Sequence, residues 1–163
     1  YLDKKLKLKI NEAKSEIGRS VKFLGFNITK KRLLIADSSI KAFKNKIREN
    51  TKIRGGKSMW QTLKELKLII LGWGNYFAPQ TLKLTFKKLD QWIRRRIRAC
   101  YYGQLKNGVT RLKAFLQAGI GYDRSYRCAH SSRGIWHASH GDVMRQILTN
   151  KRLKGMGLIS LER

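Results

Sequence analysis

The chain has 163 residues, 42% of them hydrophobic, and a formal charge of +27 from 37 Lys and Arg against 10 Asp and Glu. That apolar content excludes a disordered basic tail, which could not bury enough surface to offset chain entropy, and the length allows one domain or two small ones. Self-repulsion at this charge opposes compactness unless a polyanion is present, so nucleic acid is the expected partner ahead of an anionic membrane.

Residues 1–36 carry 10 basic and 3 acidic residues, residues 37–107 carry 17 and 4, and residues 108–163 carry 10 and 3. Every part is cationic, the middle most of all. No apolar run reaches transmembrane length and the basic start lacks a signal-peptide core, so no membrane partner is expected. Two cysteines, Cys100 and Cys128, imply no disulfide framework, which fits a reducing, cytoplasmic location. A start at Tyr1 rather than Met reads as part of something longer.

In chain order, residues 2–10 place Leu2, Leu6, Leu8 and Ile10 among lysines, as in a helix end passing into a short extended segment. Partial alternation from Val21 to Ile28 predicts a strand, and a turn at Lys30-Lys31 leads to a second strand over Leu33–Ala36, making a hairpin. From Asp37 the period becomes helical, with Asp37, Ser38 and Ser39 as N-cap oxygens before Ile40, Phe43 and Ile47. Gly55-Gly56 ends that helix. Ser58 and Gln61 then spell a capping box for a second helix, whose stripe is Leu63, Leu66, Ile70, Trp73 and Phe77.

Pro79 interrupts, and Thr81 can cap a third helix with Leu82, Phe86, Leu89, Ile93 and Ile97 on its apolar face. Three such helices with short connections predict a small bundle. Asn107-Gly108 marks a boundary, followed by a shorter helix around Leu112, Phe115 and Leu116. Residues 119–138 are rich in Gly, Ser and Arg and show little periodicity. Ser139 to Asp142 spells a second capping box before Val143, Met144, Ile147 and Leu148. The expected architecture is mainly α, with a leading β-hairpin, a three-helix bundle over residues 37–107 and a small basic helical module over residues 108–163.

The third helix carries the clearest chemistry. Lys83, Lys87, Arg94 and Arg98 recur at +4, +7 and +4, with Lys88, Arg95 and Arg96 flanking them and Asp90 the one acid among them. Such a surface neutralises several phosphates, and Arg111, Arg124, Arg127 and Arg133 extend the expected nucleic-acid contacts. Trp60, Trp73, Tyr76, Trp92, Tyr101 and Tyr102 can stack on bases, although most, Trp73 above all, fit a core better. Cys128, His130, His137 and His140 have zinc-capable atoms, but the spacing lacks a C-x2-4-C knuckle and Arg127 and Arg133 disfavour a dication. No metal site is therefore expected. The acids form no metal-binding pair typical of nucleotidyl transfer, and no phosphate loop precedes a helix.

Leu71-Gly-Trp-Gly-Asn-Tyr-Phe77 and Leu89-Asp-Gln-Trp-Ile-Arg-Arg-Arg-Ile-Arg98 resemble two phrases of the maturase-specific (X, or thumb) segment of bacterial group II intron-encoded reverse transcriptases. The similarity extends over most of the chain. Leu8-Lys-Ile-Asn-Glu-Ala-Lys-Ser15 resembles the late palm motif of those enzymes, in which Lys14 matches a lysine near the incoming nucleotide. Phe23-Leu24-Gly25-Phe26 resembles the primer-grip hairpin that holds the primer 3′ end. Residues 108–163, with Ser132-Arg-Gly-Ile-Trp136 and Gly157-Leu-Ile-Ser-Leu161, resemble the basic segment that contacts DNA target.

The resemblance implies that residues 1–36 end a palm, residues 37–107 form the thumb/X domain, and residues 108–163 bind DNA. It implies as partners structured intron RNA, an RNA template/DNA primer duplex, a DNA target and the rest of the parent enzyme. The family's Tyr-x-Asp-Asp box, which holds Mg²⁺, would lie before Tyr1, so this chain is expected to hold no cofactor and to be inactive alone. The absence of a nuclease motif up to Arg163 fits members without an endonuclease domain. The competing reading is a stand-alone basic DNA-binding or ribosomal-type RNA-binding protein.

Overall fold

At Leu24-Gly25 the chain doubles back within a stretch whose alternation predicted one continuous strand. Both residues lie in the left-handed region, at φ 46° and 79°, the backbone of a two-residue primed hairpin turn. The computed structural model describes residues 18–30, 32–53, 56–77 and 83–162. The expectations for residues 2–10, Lys14, Lys31, Gly55, Pro79, Thr81 and Leu82 lie outside these residues. The chain divides into two compact units, residues 1–42 and residues 43–163.

In the first unit β1 (Ser20–Phe23), β2 (Phe26–Thr29) and β3 (Leu33–Ile35) form an antiparallel meander in the order β1-β2-β3. The expected two-stranded hairpin is therefore three strands. Phe23 pairs with Phe26 across the new turn, and Phe26 pairs with Ile35. The Gly25 carbonyl accepts from the Ala36 amide at 2.8 Å and the Ser39 hydroxyl at 3.0 Å, closing the turn from behind. Ser39 thus serves the sheet rather than capping the first helix, α1 (Asp37–Asn50), whose opening amides at Ser39 and Ile40 bond to the Ala36 carbonyl.

The second unit takes up α1 from Phe43 and continues through α2 (Met59–Phe77), α3 (Lys83–Gln104), α4 (Gly108–Gln117), α5 (Tyr122–Ala129), α6 (Ile135–Ala138), α7 (Asp142–Ile147) and α8 (Asn150–Gly155). The predicted capping box opens α2: Gln61 N donates to Ser58 Oγ at 3.2 Å while Ser58 N donates to Gln61 Oε1 at 3.0 Å. Phe43, Ile47, Leu63, Leu66, Ile70, Phe86, Leu89, Ile93 and Ile97 are buried. Trp73 joins the three helices, with its ring 4.3 Å from Phe43, 4.5 Å from Phe77 and 5.9 Å from Phe86.

Asn107 N-caps α4, its Oδ1 accepting from Thr110 N at 2.8 Å. The stretch that showed no periodicity contains two helices, α5 and α6. Their signal was hidden because α5 buries only the small Ser125 and Ala129 and leaves its large residues outside. Ser139 does not cap α7 either. It is buried at the end of α6 and donates to the Trp136 carbonyl at 2.8 Å, while Gly141 precedes α7 without a side-chain cap.

After α8 the chain lies against α3 through Asp90, which is 4% exposed. Its carboxylate accepts from Leu161 N at 3.0 Å, from Glu162 N at 3.3 Å and from the Ser160 hydroxyl. Leu161 reaches α2 where Gly74 has no side chain; a Cβ there would stand 3.2 Å from Leu161 Cδ2. Among the described residues no helix is long and apolar enough to cross a membrane. Hydrogen bonds to a charged group contribute more than neutral ones, and losing the acceptor strands three donors. Asp90→Ala is expected to cost about 2–4 kcal/mol in urea unfolding of the chain; a loss below about 0.5 kcal/mol would show that the last segment is not held this way.

A candidate nucleic-acid interface

Several of the nominated arginines act inside the unit. Arg96 donates to Thr51, just past the end of α1, through Nε to Oγ1 at 3.1 Å and Nη2 to the carbonyl at 3.3 Å. Arg98 donates through Nε and Nη2 to the Leu148 carbonyl, the C-cap of α7, at 3.1 and 2.9 Å. Arg111 reaches the Leu105 carbonyl at 2.9 Å and the Ala129 carbonyl at the end of α5 at 3.4 Å, and lies 4.3 Å over the Tyr102 ring. Helix C-termini leave carbonyls without partners and carry partial negative charge, so a guanidinium satisfies both at once. Burial, then the nearby Arg48, lowers the Arg96 pKa; burial, then Arg94 and Arg145, lowers that of Arg98. Both remain cations at neutral pH.

Arg95 lies 4.0 Å over the Trp136 ring and donates to the Trp136 carbonyl at 3.0 Å. Its Nε is buried without an acceptor among the described residues. Together with Lys88, Arg94 and Arg98 it lines a groove of about 610 Å³, completed by Trp92, His140, Arg145 and Asn150. Among the described residues no carboxylate lines it, since Asp90 is turned to the backbone of residues 161 and 162. Lys44 and Arg48 flank the Trp92 ring at 5.6 and 5.5 Å, adding cations beside the groove.

Arg124, Arg127 and Arg133 come together in a second groove of about 540 Å³ with Cys128 and His137. Burial pushes the Cys128 thiol pKa up, against the opposing pull of Arg111. The possible zinc ligands turn elsewhere: His130 Nδ1 lies 3.1 Å from the Tyr126 carbonyl and His140 meets Arg145. Among the described residues no three His, Cys, Asp or Glu side chains converge in a way that could hold a metal.

Lys83 and Lys87 are exposed on α3 but line neither groove, so the four-residue face drawn from helical spacing is divided. In the first unit Phe23 and Leu24 are exposed at the turn, with Gly25 and Phe26 half-buried beneath them. The sequence singled out His140 only for its zinc-capable ring and gave no specific pointer to Arg145 or Asn150; the fold of α6, α7 and α8 brings all three into the groove with Arg94. The sequence reading also missed Lys67 and Lys154, which line a further cleft with Arg94. Their only sequence signal was the basic charge of Arg145, Lys67 and Lys154.

A mainly helical unit with a cationic groove that no carboxylate of the described residues lines suits a polyanion. Residues 40–117 match the group II intron, maturase-specific domain. That segment is thus a maturase-specific domain of the group II intron type, which supports a maturase role in splicing and implies binding to intron RNA. No curated protein matches the chain.

His140 reports the field of the first groove. Arg145, whose Nη2 lies 2.9 Å from Nε2 and 3.2 Å from Nδ1, holds its pKa below the usual value of 6.5, helped by burial, Arg95 and His137 and opposed by Asp142. The native state therefore resists protonation, and whatever His140 contributes to stability is lost as pH falls from the usual value through the folded one. A phosphate in the groove offsets those cations and raises the pKa, so RNA binding should take up a proton and tighten as pH falls. NMR titration of His140 with and without RNA measures this; an identical midpoint in both would place the phosphates elsewhere.

Proposed function

We propose that the chain is the C-terminal part of a group II intron reverse transcriptase/maturase, and that its second unit grips the phosphates of intron RNA in the groove between α3 and α7. The observation that carries this reading is the convergence of Lys88 and Arg94, on a helix within the matched domain, with Arg145 of α7 in a groove that no carboxylate of the described residues lines. Phosphate contacts of this kind supply affinity and register, and the shape of the folded RNA supplies most of the selectivity.

In the same reading the turn at Phe23–Phe26 grips a primer end. Leu24 supports it, because an apolar side chain 65% exposed at positive φ is a cost that an ordinary surface turn avoids with glycine or asparagine. The grooves of residues 108–162 would then extend to an RNA template/DNA primer duplex and a DNA target. The parent enzyme would supply the Mg²⁺-holding carboxylates, and the work would take place in the reducing cytoplasm.

Salt dependence tests the grip. Each phosphate contact adds about 0.7–0.9 to the slope of log affinity against log salt. The triple variant Lys88→Gln/Arg94→Gln/Arg145→Gln should bind intron RNA more weakly and with a slope shallower by about 2–3. Lys83→Gln/Lys87→Gln, outside the groove, should change it less. An unchanged slope in the triple variant would remove the groove from the interface.

A further inference from the structure

Helix α5 carries a row of rings that its own packing does not use. Tyr122, Tyr126 and His130 follow at i, i+4 and i+8, with ring centroids 6.0 Å apart at 23° for the first pair and 4.4 Å apart at 32° for the second. The rings stay outside: Tyr122 is 60% and Tyr126 49% exposed, and His130 is exposed too. What holds α5 in place is on its other side, where Ser125 and Ala129 are buried and the Tyr102 hydroxyl donates to the Cys128 carbonyl at 2.8 Å.

The row is fixed at one end and open at the other. The His130 ring packs against Gly108 so closely that a Cβ there would stand 2.6 Å from Nε2, and its Nδ1 lies 3.1 Å from the Tyr126 carbonyl. Tyr122, at the far end, has Tyr126 on one side and solvent around the rest. Around the same helix lie Arg124 and Arg127, which with Arg133 line the second groove, where three arginines outnumber the one carboxylate of Asp142. Asp123 is the one acid on α5, and its backbone carbonyl accepts from Arg127 Nε at 3.3 Å.

We infer that this row is a stacking platform for an unpaired stretch of RNA, with a base continuing the stack on Tyr122 and its neighbouring phosphates held by Arg124, Arg127 and Arg133. The inference rests on the RNA-binding reading above and adds that this face selects single strands. Every unpaired base offers a π-face to an aromatic ring and a phosphate to the adjacent cations, whereas bases within a duplex already stack on one another. A solvent-facing aromatic row on a helix whose arginines line a neighbouring groove combines both halves of that recognition.

The test is binding by the whole 163-residue chain to an unstructured RNA of about 16 nucleotides and to a duplex RNA of equal length. Tyr122→Ala should weaken single-strand binding roughly 5- to 100-fold and leave duplex binding within about twofold. Tyr122→Phe should restore the single-strand affinity and Tyr122→Leu should not, because the ring and not its bulk is needed. Equal losses on both RNAs, no loss on the single strand, or full rescue by leucine would overturn the platform while leaving the groove standing. Failure of the unaltered chain to bind either RNA would instead remove the reading on which the platform rests.

Discussion

A carboxylate 4% exposed, on a helix otherwise carrying only cations, has to be matched where it stands, and Asp90 is matched by the Leu161 and Glu162 amides and the Ser160 hydroxyl. The consequence reaches both ends of the unit. It fixes the last described segment against α3, and through Leu161 that segment rests on Gly74 of α2. It also withdraws the single acid of α3 from the surface. The positive field over the groove is therefore a by-product of a folding contact: had Asp90 faced outward, it would have stood against the cations that α3 presents there.

The same helix is tied to its neighbours by further polar contacts, and most of them end on backbone carbonyls. Arg96 meets Thr51 after α1, Arg98 meets Leu148 after α7, Tyr102 meets Cys128 in α5, and Gln104 meets Lys57 before α2. Short helices such as α6, α7 and α8 expose a large share of unsatisfied carbonyls for their length. A chain with 37 basic side chains can satisfy those groups from neighbouring helices. Part of the charge that suggests a polyanion at first sight is thus internal to the fold, and another part lines the grooves.

Legibility in the sequence followed the range of each interaction. Ser58 with Gln61 and the stripe through Trp73 depend on residues a few positions apart, and they were readable. The tight turn at Leu24-Gly25 was not, since leucine is an unusual occupant of positive φ and concealed the primed-turn pattern. Helix α5 escaped because its buried side is Ser125 and Ala129, which leave no hydrophobic period. Ser139 matched a capping box in letters but was needed by the Trp136 carbonyl. His140, Arg145 and Asn150 lie 46 to 62 positions from Lys88 and Arg94; only the fold brings them to one groove.

The run Arg94-Arg95-Arg96 shows why a block of like charge on a helix is not one surface. Successive residues point about 100° apart, so three neighbours cover most of a turn and meet different surroundings. Arg94 opens onto two clefts, Arg95 lies under Trp136, and Arg96 turns to Thr51. Spacing at i and i+4 placed Arg94 and Arg98 on a common side, and they do share the groove, yet Arg98 is already held by Leu148. Its charge contributes to the field there while its hydrogen-bonding edge is largely occupied. In the proposed grip, the groups left to close on a phosphate would be those whose donors no carbonyl has taken, and for this reason Lys88, Arg94 and Arg145 would matter more than the density of arginine along α3.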